Sequence, residues 1–223
     1  MSGRYIINEK VTEYLDGLYR FPDDAVAALR AEAEAEGVPV ILRDTERFLM
    51  TLIRMLRPAR ILEIGTAIGY SAICFAKAAG ASASVVTLEK EEVMAARAEE
   101  NIRRLGYGQQ IQVVQGDALE RLPEMEGIFD LVFIDAAKSH YRRYWELVLP
   151  HCRSGSVIGC DNVLLRGSVT DEGYDSSPRR HHTSIKRMRS FLESITADPS
   201  VETSVMTVGD GLSVSYLLTV ENE

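Results

Sequence analysis

From Arg60 onward the chain alternates short apolar runs with stretches of helical spacing, and this alternation constrains its fold more than any other feature. ARILEIG reads as a strand followed by a helix to Ala79, and ASVVTLE as a second strand followed by a helix from Glu91 to Leu105. IQVVQGD, FDLVFIDAAK and SGSVIGCDN supply three more strands. Strands of this length separated by helices imply right-handed crossovers and a parallel sheet. The expected fold class is α/β, a Rossmann-like sheet that is mostly parallel. A turn-rich loop from Gly167 to Pro178 and a basic helix over Ser177 to Ile195 come next. VETSVMTVGDGLSVSYLL then reads as two strands around Gly209-Asp210-Gly211, predicting an antiparallel C-terminal strand.

Helices precede the sheet. Val26, Leu29 and Ala33 share one face of a helix that Asp23 caps and Gly37 stops. Phe48, Leu49, Leu52, Ile53 and Leu56 line a second, from Asp44 to Leu56. With 223 residues, 46% of them hydrophobic, the chain has material for one sizeable core. The expected organisation is a single domain over 1–223, with residues 1–57 as an N-terminal helical addition.

Composition narrows the function classes. No run of about 18 apolar residues occurs, so no membrane span is expected. Charges in MSGRYIINEKVTEYL take the place of a signal peptide's apolar stretch, which predicts a cytoplasmic protein. Cys74, Cys152 and Cys160 fit no zinc spacing and cannot all pair, so they read as small apolar residues. A net charge of −8 disfavours general nucleic-acid binding. The charge is polarised, however. Arg166, Arg179, Arg180, Lys186, Arg187 and Arg189 face only Asp171, Glu172 and Asp175 within their segment, which is +3 and leaves −11 on the rest.

Two candidate sites lie at strand ends, where open parallel sheets bind ligands. The first strand runs into Glu63-Ile64-Gly65-Thr66-Ala67-Ile68-Gly69-Tyr70-Ser71. Gly65 and Gly69 allow a tight turn and close backbone approach, and the helix beginning near Tyr70 offers free N–H groups. No Gly-Lys-Ser/Thr follows, and Ala67 and Tyr70 break a dinucleotide fingerprint. Glu89 ends the second strand, placed to accept from two ribose hydroxyls. Asp117-Ala118 ends the third, where Asp117 can accept from an adenine amino group. The second site joins Asp135, after the fourth strand, to Asp161 and Asn162, after the fifth. Two carboxylates and an amide oxygen are hard ligands suited to Mg²⁺. Lys138, three residues after Asp135, is placed to take or balance the proton of a substrate hydroxyl.

Together, LEIGTAIGYSA, Glu89, GDA, FIDAAK and CDN resemble the metal-dependent catechol and caffeoyl-CoA type O-methyltransferases, from about residue 20 onward. More narrowly, LEIGTAIGYSAI, IDAAK, DNVL-x-x-G-x-V, the basic segment after it and VGDGL resemble bacterial tRNA 5-hydroxyuridine methyltransferases. The resemblance implies S-adenosylmethionine as cofactor, with Glu63, Gly65 and Ser71 at its methionine part, Glu89 at the ribose, Asp117 and Ala118 around the adenine, and Asp135 also among the cofactor residues. Val40 and Ile41 lie about where the family covers the cofactor. It implies Mg²⁺ or another divalent cation on Asp135, Asp161 and Asn162, with Lys138 and Asp135 catalytic, and a homodimer. The narrower resemblance implies 5-methoxyuridine formation at the tRNA wobble position. Arg166, Arg179, Arg180 and Lys186 would then hold anticodon-loop phosphates. A catechol offers the metal the same pair of adjacent oxygens and is the rival substrate. A non-enzymatic cofactor sensor would not need Asp135, Lys138, Asp161 and Asn162; a nicotinamide dehydrogenase is opposed by Ala67 and Tyr70. Tyr141, Tyr144 and Trp145 read as core packing.

Overall fold

A computed structural model describes residues 9–20 and 23–218. Residues 1–8, which carry part of the signal-peptide argument, lie outside them. Helices α1 (Glu9–Leu18), α2 (Asp24–Ala35) and α3 (Arg43–Leu56) precede the sheet. Asp23 caps α2 by accepting from the Val26 N–H at 2.8 Å, and Gly37 follows its end with φ +70°. Both features match the sequence pattern.

The alternation from Arg60 becomes β1 (Arg60–Ile64), α4 (Tyr70–Ala79), β2 (Ser84–Glu89), α5 (Glu92–Arg104), β3 (Ile111–Gln115) and a single turn, α6 (Ala118–Arg121). Then come β4 (Leu131–Ile134), α7 (Tyr141–Val148), β5 (Val157–Asp161), α8 (Asp171–Ser176), α9 (His182–Ala197), β6 (Val201–Met206) and β7 (Leu212–Leu217). The seven strands form one sheet in the order β3-β2-β1-β4-β5-β7-β6. Strands β1 to β5 pair in parallel, and β7 runs antiparallel between β5 and β6. The fold is therefore the expected Rossmann-like α/β sheet with an antiparallel C-terminal strand.

Strands β1, β4 and β5 are almost wholly buried, as continuous apolar runs sandwiched between helical layers should be. One core layer packs α2, α3 and α4 against the sheet around Ile53, Phe75 and Phe133. The other packs α7 and α9 around Tyr141, Trp145 and Phe191. Tyr141, Tyr144 and Trp145 are buried there, as expected for core packing. The three cysteines are free, and Cys74 and Cys160 are buried. Among the described residues no helix is long and apolar enough to cross a membrane.

The segment before α9 departs from expectation. The loop expected from Gly167 to Pro178 contains α8, whose Asp171 and Glu172 stand in its first turn, where negative charge favours the helix dipole. The basic helix starts at His182 rather than Ser177, because a separate 3₁₀ turn over Arg179–His181 follows Pro178. Sequence periodicity alone merged the two, since Arg179, Arg180 and Lys186 share a composition and not a helix.

Candidate active site

The strand order reverses direction between β1 and β4, so the loops after these strands part and leave a crevice at their carboxyl ends. A cavity of about 670 Å³ occupies it. Its wall includes Gly65, Ser71, Glu89, Asp117, Ala118, Asp135, Lys138, Asp161, Asn162 and Arg166. The two sites inferred separately from sequence are thus one pocket.

At the β1 end, backbone geometry dictates the residue. Gly65 has φ +104°, and a Cβ there would stand 2.1 Å from the Asp135 carbonyl oxygen, so a side chain is excluded on both counts. Gly65 N–H donates to Leu88 O at 3.0 Å, and Asp135 N–H to Ile64 O at 2.9 Å, which draws three strand ends together. Ala67 (φ +46°) and Gly69 (φ +83°) complete the turn into α4.

Glu89 accepts from the Ala67 N–H at 2.8 Å and the Glu91 N–H at 2.9 Å, so the carboxylate closes the glycine turn while facing the cavity. Asp117 caps α6 through the Leu119 N–H at 2.9 Å and pairs with Lys90 at 3.0 Å. Those hydrogen bonds hold its carboxyl below the usual range, the backbone bond to Leu119 first and Lys90 next. Each residue combines a local structural role with a place on the wall.

Glu63 is not on that wall. Its side chain is wholly buried. Thr87 Oγ1 donates to its Oε2 at 2.5 Å, while Oε1 is buried with no hydrogen-bond partner. Burial, and then the nearby negative charges of Asp135 and Glu89, push its carboxyl up to about 7.

At the β4 and β5 ends, Lys138 Nζ donates to Asp135 Oδ1 at 2.6 Å and to Tyr141 Oη at 2.9 Å. Tyr141 Oη in turn donates to the Asp161 carbonyl at 2.8 Å. The tyrosine ring packs in the core, yet its hydroxyl fixes the lysine, a role the reading of Tyr141 as core packing missed. Its position three residues after Lys138, on the same side of a helical turn, was the available signal. Burial first, and then the Asp135 charge, push the Asp161 carboxyl up to about 7. Asn162 has φ +55°, a left-handed conformation that asparagine tolerates. Its N–H donates to Asp161 Oδ1 at 2.8 Å.

Asp210 also lines the pocket, and sequence reading assigned it nothing beyond the turn. Its side chain accepts from the Arg166 N–H, and its carbonyl accepts from the Leu164 N–H at 3.0 Å. The neighbouring Gly209 N–H donates to Asp44 of α3 at 2.8 Å. The β6–β7 turn therefore clamps the loop of Asn162 to Arg166, in which Leu165 and Arg166 both adopt left-handed backbone.

The basic segment divides. Arg166 reaches the wall; Arg179, Arg180 and Lys186 are exposed and lie outside it. Arg189 pairs with Asp171 at 3.0 Å, and both Arg189 and Lys186 stand over the Tyr174 ring. Part of the run therefore holds α8 on α9.

A parallel sheet with this order, a glycine turn at its switch point and acids closing successive strand ends define a class, the Rossmann-like proteins that hold a nucleoside-bearing ligand across the crevice. The chain belongs to the O-methyltransferase family, which matches residues 26–217. It is 35% identical over 215 residues to a catechol O-methyltransferase of Mycobacterium tuberculosis, covering 93% of this chain and 94% of that protein. A catechol O-methyltransferase of Niastella koreensis is 33% identical over 206 residues, 90% of each chain. The solved O-methyltransferase of Bacillus cereus in complex with SAH superposes with a TM-score of 0.82 at 30% identity, over 93% of this chain and 97% of that one.

Proposed function

We propose that this O-methyltransferase uses S-adenosylmethionine and a divalent cation to methylate a hydroxyl that lies beside a second oxygen on the acceptor. One observation carries the reading: the cavity that Gly65, Ser71, Glu89 and Asp117 enter is the same cavity that Asp135, Lys138, Asp161 and Asn162 enter. The Bacillus cereus relative's SAH is S-adenosylhomocysteine, the remainder of that cofactor after methyl transfer.

The residues fit both groups. Glu63 does not line the cavity, but its Oε1 is a buried acceptor without a hydrogen-bond partner two residues before the wall residue Gly65, on the side where the cofactor's ammonium would lie. Glu89 retains acceptor capacity for ribose hydroxyls, and Asp117 for the adenine amino group. Asp135, Asp161 and Asn162 would hold the cation. Two carboxylates beside one lysine leave excess negative charge, and the Asp135 charge adds to burial in raising the Asp161 carboxyl. The bound cation supplies positive charge that lowers the acceptor hydroxyl's pKa.

Methyl transfer is then an in-line displacement. The acceptor oxygen forms a bond to the methyl carbon, the carbon–sulfur bond breaks, and S-adenosylhomocysteine leaves. The chain's work is orientation, which can contribute roughly 7–11 kcal/mol when the approach is well aligned. Lys138, steadied by Asp135 and Tyr141, takes the hydroxyl proton or balances the charge it leaves.

For the acceptor we place tRNA 5-hydroxyuridine first. The exposed Arg179, Arg180, Lys186 and Arg187 follow the wall residue Arg166 in sequence, and their positive charge suits contacts with tRNA phosphates outside the pocket. A catechol is the second reading, favoured by the activities named for the Mycobacterium and Niastella relatives. The test is methyl transfer to tRNA carrying 5-hydroxyuridine, beside a catechol, with and without Mg²⁺. Metal-dependent 5-methoxyuridine, abolished in Asp135→Ala, is the expected result. Methylated catechol with untouched tRNA would sink the tRNA acceptor and keep the chemistry.

A further inference from the structure

Part of the pocket wall belongs to neither the sheet nor a helix. Residues 38–42 connect α2 to α3 without regular structure, and Pro39, Val40, Ile41 and Leu42 line the cavity. An irregular segment has no ladder to hold it, so something else must fix its backbone.

Beside it lies a polar group with no part in the chemistry. Arg30 of α2, Glu46 of α3 and Tyr70 at the start of α4 are 6%, 2% and 2% exposed. Arg30 Nη1 donates to the Ile41 carbonyl at 2.9 Å and stands 3.4 Å from Glu46 Oε2. Tyr70 Oη donates to the same Glu46 oxygen at 2.8 Å. Arg30 Nε is steadied by Glu34 at 2.7 Å. The group thus joins the wall at Ile41, whose side chain is buried in the core but whose carbonyl is held by Arg30, to the first residue after the glycine turn, Tyr70, which also lines the cavity.

Stability alone is a poor reason for this arrangement. A buried ion pair is often no more stabilising than apolar side chains of the same volume, because desolvation offsets the attraction. What it supplies is direction: a guanidinium fork satisfied only when Ile41, Glu46 and Tyr70 stand in one relative placement.

We propose that Arg30, oriented by Glu46, is a positioning residue that holds residues 39–42 in place so that S-adenosylmethionine meets a preformed wall. This rests on the functional reading above. Without Arg30 the segment samples open arrangements, and apparent affinity falls by the fraction of molecules left competent. A drop from nearly all to about a tenth weakens binding about tenfold.

The experiment is calorimetric binding of S-adenosylhomocysteine to the full chain without metal or acceptor, with thermal midpoints measured alongside. Arg30→Met, close in length and uncharged, is expected to weaken binding about tenfold. Arg30→Lys, which keeps a charged donor, is expected to recover most of that affinity. Ile195→Val, a buried change on α9, controls for stability loss and is expected to bind as wild type. If Arg30→Met does not fold, Tyr70→Phe carries the test, with a smaller weakening of about threefold. Wild-type affinity in the foldable variant overturns the proposal, as does an equal weakening in Ile195→Val. A wild-type chain that fails to bind S-adenosylhomocysteine overturns the functional reading and this inference with it.

Discussion

Glu63 shows how much a single residue's environment decides. A glutamate in a strand is ordinary in sequence, and its resemblance role places it at the cofactor. Inside the fold it is a wholly buried carboxyl with one oxygen unserved, raised from an ordinary 4.5 to about 7. A carboxyl whose folded pKa is raised contributes stability below its unfolded pKa, and that contribution disappears as pH rises toward 7. A shift of this size corresponds to about 3 kcal/mol. Urea unfolding of the ligand-free chain at about pH 5 and about pH 8 should therefore show a larger loss of stability for wild type than for Glu63→Gln. Asp161 shifts in the same direction and is present in both proteins, so the difference isolates Glu63. Equal losses in the two proteins would refute the account. Gly65 is the opposite case: its glycine was legible as a turn, but only the Asp135 carbonyl 2.1 Å from its missing Cβ shows why no other residue fits.

Among the elements, α8, α9 and the turn between them are where the proposed acceptor can be tested. The +3 segment was legible in sequence; its division was not. Tyr174 packs on His182 with ring centroids 4.1 Å apart, and Arg189 pairs with Asp171, so those charges serve α8. Arg179 and Arg180 stay exposed on a 3₁₀ turn, open to phosphates, with Arg180 Nε donating to His181 Nε2 at 3.1 Å. If they do, Arg179→Ala with Arg180→Ala weakens tRNA binding and flattens its salt dependence. The log–log slope should fall by about 0.7 for each single-strand phosphate that the arginines no longer neutralise. Catechol methylation should stay near the wild-type rate. An unchanged salt slope would remove both arginines from the interface. The β6–β7 turn teaches the complementary lesson. Its Gly-Asp-Gly sequence signals a hairpin, and nothing in that pattern shows that Asp210 grips the Arg166 backbone.

For the whole molecule, ligand binding and metal-dependent turnover should separate, because most candidate cofactor residues follow β1 to β3 while the candidate cation residues follow β4 and β5, with Asp135 the one expected at both. S-adenosylhomocysteine at about a hundredfold excess over its Kd should stabilise the fold by about 2.7 kcal/mol. That corresponds to roughly 5–10 °C in Tm for a chain of this size. Adding EDTA should stop turnover and leave that rise intact. Turnover that survives complete metal removal would dismiss the cation; a rise that disappears with EDTA would mean the two ends of the pocket are not separable.

The sequence by itself determined the α/β alternation, the parallel sheet with its reversed last strand, and the residues at each strand end. These follow from local periodicity and from the rule that such sheets bind ligands at their carboxyl edge. It could not determine that two candidate sites are one pocket, that Glu63 sits off the wall, or that the Tyr141 hydroxyl fixes Lys138. Nor could it determine that Arg30, Glu46 and Tyr70 meet behind residues 39–42. Each depends on residues distant in the chain being brought within a few ångströms, or on burial that changes a group's chemistry. Periodicity records which face a residue turns inward; only the packed fold decides what it meets there.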